Sequence, residues 1–395
     1  MDKRLSVILV MLVTIFLGFG IIIPVLPEMI VGSGAERFHL YVMLAVYSAV
    51  SFVFSPFWGA LSDRIGRRPV LLLGIAGFSV SFLLFGLSSG NLWLMYASRI
   101  LGGLFSGATT SCAVAYVADI TSEERRTRSM GLVGMSIGLG FIFGPGIGGL
   151  LSAFGTAVPF FVASGVALIN FAFAIVSLPE SVPAELRRHN AQQARASRWT
   201  AFRGPIRYLF ILAFVMTFTL AGLESVLQYF SIERFDATPR QFGYMLLISG
   251  IVGALVQGGF VRRYAKKGTE TALIRLGLVI SALGFVLLLF SRDFWTSSLY
   301  LSVFAVGNAL IRPCVTSLIT QTTTTGQGLT NGLSSSMDSL GRIAGPLIAG
   351  GLFEVAAALP FFLGAVMSLG AVLLLQRFLT LIKDKARVTH GIGKA

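Results

Sequence analysis

Charge is scarce in this sequence: only 12% of its 395 residues are Asp, Glu, Lys or Arg, and just 17 are acidic. With 55% hydrophobic residues and a mean hydropathy of +0.81, soluble cores would leave large apolar patches on the surface, which excludes an ordinary soluble globular protein. The two cysteines, Cys112 and Cys314, fall within apolar runs; they read as small buried hydrophobes and imply no disulfide framework. The three histidines, His39, His189 and His390, all lie outside those runs. They suggest neither a metal site nor a Ser-His-Asp arrangement, so no catalytic set and no metal is expected. A G-x-x-x-x-G-K-[ST] loop is also missing, because the glycine clusters lack lysine and sit in apolar sequence, which disfavours an ATP-driven pump.

What the chain has in abundance is long apolar runs. Twelve recur between a first centred near residue 16 and a last near residue 368, each long enough to cross roughly 30 Å of hydrocarbon as a helix at ~1.5 Å per residue. Period-2 alternation in short pieces is absent, which argues against a spanning barrel. The expectation is an all-α membrane protein of twelve transmembrane helices. MDKR at the start resembles the opening of a signal peptide, but no small-residue cleavage pattern follows, so it reads as the first helix.

The net charge of +14 invites a nucleic-acid reading that the placement of the charges removes. With a cytoplasmic N-terminus and alternating spans, 24 of the 31 Lys and Arg residues fall on cytoplasmic segments, among them Arg64, Arg67, Arg68, Arg125, Arg126, Arg128, the group from Arg187 to Arg207 and the group from Arg377 onward. That bias follows the positive-inside rule and puts both termini in the cytoplasm of a multi-pass protein of the cytoplasmic membrane.

Two halves follow one plan. The longest polar stretch, residues 179–204, is read as a basic cytoplasmic linker between a six-helix bundle at 1–178 and another at 205–382, with a cytoplasmic tail at 383–395. Gly131, Gly140, Gly144 and Pro145 recur 201 positions later as Gly332, Gly341, Gly345 and Pro346. Like-oriented halves of this kind imply a pseudo-twofold axis along the membrane normal, an arrangement typical of carriers that rock two bundles around a central site. Gly140, Gly144 and Gly148 share one helix face and permit close backbone approach, and Pro145 removes a hydrogen bond. On this reading spans 5 and 11 are close-packed, kinked seams between the halves.

Four motifs carry a family resemblance. They are Gly59-Ala-Leu-Ser-Asp63-Arg64-Ile-Gly66-Arg67-Arg68-Pro69 after span 2; Gly131, Gly140, Gly144-Pro145 and Gly148-Gly149 in span 5; Arg99-Ile-Leu-Gly102-Gly103 in span 4; and Gly18-Phe-Gly20-Ile-Ile-Ile-Pro24-Val-Leu-Pro27 in span 1. In these the chain resembles the major facilitator superfamily, within it the twelve-helix drug:proton antiporter branch of NorA-like and tetracycline-efflux-like proteins. The resemblance implies the fold of that superfamily, a monomer, no cofactor beyond protons as the coupling ion, and alternating access. It also implies that the span-5 motif marks antiport, that Arg99 takes part in proton transfer or in holding the central cavity, and that acid and base clusters latch the halves on the cytoplasmic side. Asp63 is placed to pair with Arg67 one turn away, and Asp119, at the end of span 4, to take the arginines.

Charges inside spans cost about 2.5 to 3.5 kcal/mol each on insertion scales, which makes each a functional candidate. Glu224 is the only carboxylate of span 7 before Glu233; in a cavity it can alternate between a proton and a cationic substrate, the work an acid at the matching place does in NorA-like relatives. Asp338 and Arg342, four apart on span 11, read as an ion pair of the cytoplasmic gate, together with Asp63, Arg64, Arg67, Arg68 and Asp119. Arg312 precedes Pro313 on span 10. Some relatives keep an acid just before this step where Asn308 and Ala309 stand here, which leaves one clear deep acid in the second half. Phe16, Phe19, Pro24, Tyr47, Phe141, Asn308 and Arg312 are the candidate cavity residues, and Tyr229 and Phe304 are further aromatic candidates. The expected function is proton-coupled export of small lipophilic, cationic or zwitterionic drugs across the bilayer. The alternatives are specific efflux of a sugar or amino-acid derivative, or of tetracycline, by the same antiport.

Overall fold

In the computed structural model the described residues are 3–88, 90–181, 202, 204–264, 268–323 and 327–392. Most of the expected linker and the last three residues of the expected tail lie outside them, as do the basic residues Arg187 to Arg198. Every regular element among the described residues is helical. Twelve long helices follow in order: α1 (Lys3–Ile21), α2 (Phe38–Ile65), α3 (Arg67–Gly86), α4 (Leu92–Ile120), α5 (Glu123–Leu151), α6 (Val158–Ser177), α7 (Arg207–Phe235), α8 (Pro239–Leu255), α9 (Glu270–Leu288), α10 (Phe294–Thr322), α11 (Gln327–Val355) and α12 (Leu359–Ile392). A tight 3-10 turn, Ile23–Val25, and a short helix, Leu26–Gly32, extend α1. A π-helical stretch, Val256–Val261, follows α8.

Eleven of these elements are long and apolar enough to cross a bilayer. The exception is α11, for which the sequence predicts a span. Its Ser334-Ser335-Ser336-Met337-Asp338-Ser339 run lowers its hydropathy, and its polar face is a lining of the site described below.

Helix ends show the local chemistry that sets them. Asn91 caps α4, its side-chain oxygen accepting from the amides of Trp93 (3.0 Å) and Leu94 (3.2 Å). A capping box starts α10: Asp293 accepts from the Thr296 amide at 2.8 Å, and that bond holds the Asp293 carboxyl below the usual carboxylate range. At the end of α2, Gly66 has φ +110°, a conformation that glycine adopts without steric cost.

The chain forms two compact units, one of Met1–Ala194 with Asp236–Leu247, the other of Arg195–Phe235 with Ile248–Ala395. Within the first, α5 lies along α1. A methyl group on Gly140 would meet Phe16 Cβ at 2.6 Å, one on Gly144 would meet the Gly20 Cα at 2.7 Å, and one on Gly148 would collide with the Ile21 carbonyl. The second unit repeats this packing with α11 along α7: Gly341 against the Phe218 amide at 2.8 Å and Gly345 against the Phe218 carbonyl at 2.6 Å. In both pairs the contact positions rise together along the two helices, so each pair runs parallel. The duplication seen in the sequence is therefore realised as one backbone-to-backbone contact made twice.

This divides the expected seam role of span 5 between two faces. The face shared by Gly140, Gly144 and Gly148 is filled by α1 of its own unit. Pro145 and Gly149 present another face, which receives Gly243 and the Pro239–Arg240 backbone of the segment 236–247. Gly131 is exposed, and a methyl group there would meet nothing within 4 Å among the described residues, so close packing begins nine residues into the motif.

Candidate functional site

The loop between α2 and α3 holds a heavily bonded polar cluster of the first unit. Arg67 pairs with Asp63 (2.6 Å) and with Asp119 at the end of α4 (3.0 Å), and donates to the Ser62 hydroxyl (2.6 Å). The sequence anticipates Asp63, Arg67 and Asp119 together. It does not reveal Glu180, assigned from sequence to the linker. That carboxylate accepts from the backbone amides of Arg67 (2.8 Å) and Arg68 (3.2 Å), two orphan donors at the positive end of α3. Ser181 closes the ring by donating to Asp119 at 3.0 Å, and Arg68 donates to the Ile175 carbonyl at 2.7 Å. Arg64 is exposed and makes no ion pair among the described residues. The one available signal for Glu180 was negative, since α3 opens with Arg-Arg and no capping side chain, so its amides need an anion from elsewhere.

All these partners belong to one unit, and they tie the loop to α4 and to the end of α6. Gly66 is required twice, by its positive φ and because a side chain there would collide with Glu180. Gly66→Ala is expected to destabilise this corner by about 1–2 kcal/mol and to expose the loop to protease, read as faster limited proteolysis after Arg64, whereas Gly59→Ala, with open space at its Cβ, leaves the digestion rate at wild type.

Higher in the first unit, four of the expected cavity aromatics form one connected wall. Phe16 meets Phe141 (5.3 Å between centroids), Phe141 meets Phe19 (5.5 Å), and Phe19 meets Tyr47 (5.5 Å). All four are half-buried. Behind them Arg99, 3% exposed, lies over the Phe85 ring at 4.6 Å and over Tyr47 at 5.9 Å. It makes no ion pair or hydrogen bond among the described residues, and its buried Nε has no partner. Cation–π contact is thus what holds this guanidinium, and through Tyr47 it sets the back of the aromatic wall. Pro24 is buried in the turn after α1. Tyr229 and Phe304 are buried as well, Phe304 against Phe285 at 4.9 Å; both are core residues.

The second unit supplies the charged site. A small open cleft, with about 30 Å³ of enclosed space, is lined by Met216, Thr217 and Leu220 of α7, Asn308 and Arg312 of α10, and Asp338 of α11. The sequence pairs Asp338 with Arg342, but the fold pairs it with another helix: Thr217 donates to Asp338 at 2.7 Å, and Arg312 stands 3.8 Å from it. The i, i+4 pair loses because Thr217 and Arg312 approach Asp338 from the cleft, whereas Arg342 lies one turn on. Asp338, read from sequence as a gate residue paired with Arg342, is thus a cleft residue, and the second unit holds two acids near its site.

Glu224 is exposed in the midst of a buried stretch of α7: Ala221, Gly222, Leu223, Ser225 and every residue from Val226 to Ser231 is buried. A lipid-facing carboxylate would sit on an exposed stripe with its neighbours three and four residues away. Here Ala221, Leu227 and Gln228 are buried and Leu220, half-buried, lines the cleft, so Glu224 faces a local opening. The cations that act on its carboxylate are Arg342 and, more weakly, Arg312. Four formal charges, those of Glu224, Asp338, Arg312 and Arg342, therefore belong to one electrostatic set. They cancel while both acids are ionised and leave one excess positive charge when one of them takes a proton.

A helical chain with a duplicated glycine seam and an acid–arginine site in its second half matches the Major Facilitator Superfamily family model over residues 8–325. The chain belongs to the Major Facilitator Superfamily. It is 29% identical over 377 residues to the Quinolone resistance protein NorA of Staphylococcus aureus (strain COL), covering 95% of this chain and 96% of that protein. It is 35% identical over 362 residues to Multidrug resistance protein 2 of Bacillus subtilis (strain 168), covering 90% of each. Among solved structures, the human organic anion transporter MFSD10 (TETRAN) superposes with a TM-score of 0.72 at 26% identity, covering 94% of this chain and 99% of that one. A POT family transporter in complex with 5-aminolevulinic acid, at 14% identity and a TM-score of 0.78, shares the fold. This Major Facilitator protein is accordingly a multi-pass membrane transporter and not an enzyme, with relatives in the multidrug-efflux branch.

Proposed function

We propose that the protein exports small lipophilic cationic or zwitterionic compounds across the cytoplasmic membrane in exchange for protons, as a single chain with both termini in the cytoplasm and no cofactor. The observation that carries this reading is Glu224: an acid opening out of a buried stretch of α7, within the field of two arginines. With Glu224 ionised, the four-charge set is neutral and a cation can enter. Protonation leaves net positive charge, which repels a cation through a medium of low dielectric. One site then holds a proton or a cationic compound, each disfavouring the other, which is the requirement for antiport. The half-buried aromatic wall Phe16–Phe141–Phe19–Tyr47 offers flat, adaptable surface for lipophilic rings. The names of the two bacterial relatives support the substrate class.

Purified protein in liposomes decides the matter. Ethidium uptake is expected to follow an imposed pH gradient and to stop when an uncoupler dissipates it. Uptake indifferent to the gradient would overturn proton coupling. Failure to move ethidium or a fluoroquinolone, with movement of one sugar or amino-acid derivative, would favour a narrow metabolite exporter instead.

A further inference from the structure

Arg312 is an unusual cation for a membrane interior because it is underused. Its side chain, which lines the cleft, is 57% exposed. Its guanidinium carries five donors, yet makes no hydrogen bond among the described residues, and its one ion-pair partner, Asp338, stands at 3.8 Å, beyond hydrogen-bond reach. Asp338 in turn is held from the other side by the Thr217 hydroxyl at 2.7 Å, which fixes the carboxylate at the rim. Thr217 and Arg312 each lie ten residues from one end of their 29-residue helices and Asp338 eleven, about 15 Å at ~1.5 Å per residue, so the group lies within the helices, short of their midpoints. Apolar Met216 and Leu220 flank the polar group.

We propose that this cleft is a carboxylate subsite in which Arg312 is the anchor and Asp338 an internal stand-in for the ligand's own carboxylate. The ligand class is an amphiphilic zwitterion: its carboxylate takes the guanidinium in a two-bond fork that Asp338, tethered to Thr217, does not reach, while its apolar body covers Met216 and Leu220. The inference rests on the export reading above and deepens its zwitterionic arm: a cationic group answers to Glu224, and the carboxylate of a zwitterion answers to Arg312. Asp338 then sets specificity by competition. It keeps the empty cleft neutral and excludes ligands whose anionic group is weaker than its own.

The test is equilibrium binding in detergent, with no pH gradient, using norfloxacin and its methyl ester as probes on the full chain. Wild type is expected to bind the acid more tightly than the ester. Arg312→Gln should weaken the acid by about tenfold, the weight of a charge-assisted contact, and erase the difference between the two probes. Asp338→Asn, which keeps the bond from Thr217, should tighten the acid by about two- to fivefold, the weight of a half-exposed ion pair. Melting temperature and elution volume verify that each variant is folded, and Arg312→Lys replaces any that is not, with an intermediate loss expected. Equal binding of acid and ester by wild type, or weaker binding of the acid by Asp338→Asn, overturns the subsite and leaves the export reading standing. Wild type that binds neither probe overturns the export reading, and the subsite with it.

Discussion

Glu224→Gln is expected to reduce pH-driven ethidium transport to the rate of protein-free liposomes while the protein still inserts and folds. Glutamine keeps the length and the polar tip of the side chain but carries no exchangeable charge, so the set keeps an excess positive charge while Asp338 is ionised. A transporter locked in that condition lacks the alternation between neutral and cationic site on which exchange rests. Folding is not at stake, because an acid within a span costs about 2.5–3.5 kcal/mol on insertion scales and its amide costs less. Glu224→Asp, shorter by one methylene, is expected to retain coupling at a lower rate. Undiminished pH-driven transport by the glutamine variant would mean that the proton binds elsewhere, with Asp338 the next acid to examine.

Adding a methyl group to the shared faces of α5 and α11 is the second large effect. Gly144→Ala places a carbon 2.7 Å from the Gly20 Cα and 2.8 Å from the Leu17 carbonyl; Gly345→Ala places one 2.6 Å from the Phe218 carbonyl. Those neighbours are backbone and yield only if the helix moves, so each substitution is expected to cost about 1–3 kcal/mol, with Gly148→Ala at the upper end because the Ile21 carbonyl is nearer still. Gly131→Ala and Gly138→Ala, with open space at the Cβ, are expected to match or slightly exceed wild type, since alanine favours helix by up to about 1 kcal/mol. Thermal melting in detergent separates the two groups. Equal melting temperatures for Gly144→Ala and Gly131→Ala would show that the seam has no packing role.

Much of this architecture was legible because a membrane restricts the options. Segments in hydrocarbon must satisfy their own backbone, so apolar length reads out as helix count; α11 escapes the rule because its polar face lines a cleft instead of meeting lipid. Asp63, Arg67 and Asp119 were legible for another reason, since charge next to a span end has few partners within reach. Glu180 was hidden because it acts 113 positions away from Arg67 through a backbone contact, which leaves no trace in spacing. The partner of Asp338 was misread because helical periodicity speaks only for neighbours on the same helix.

Composition and the order of apolar and charged residues determined the helical class, the duplication and the short roll of charged residues from which any mechanism must be built, because the energy of placing each residue in lipid or water depends on that residue and its helix alone. Which acid meets which arginine, which helix fills the glycine face, and that Glu224 opens from a buried stretch of α7 were decided by tertiary packing. Those facts depend on the approach of side chains far apart in the chain, held at distances of 3 to 4 Å by contacts that no local pattern encodes.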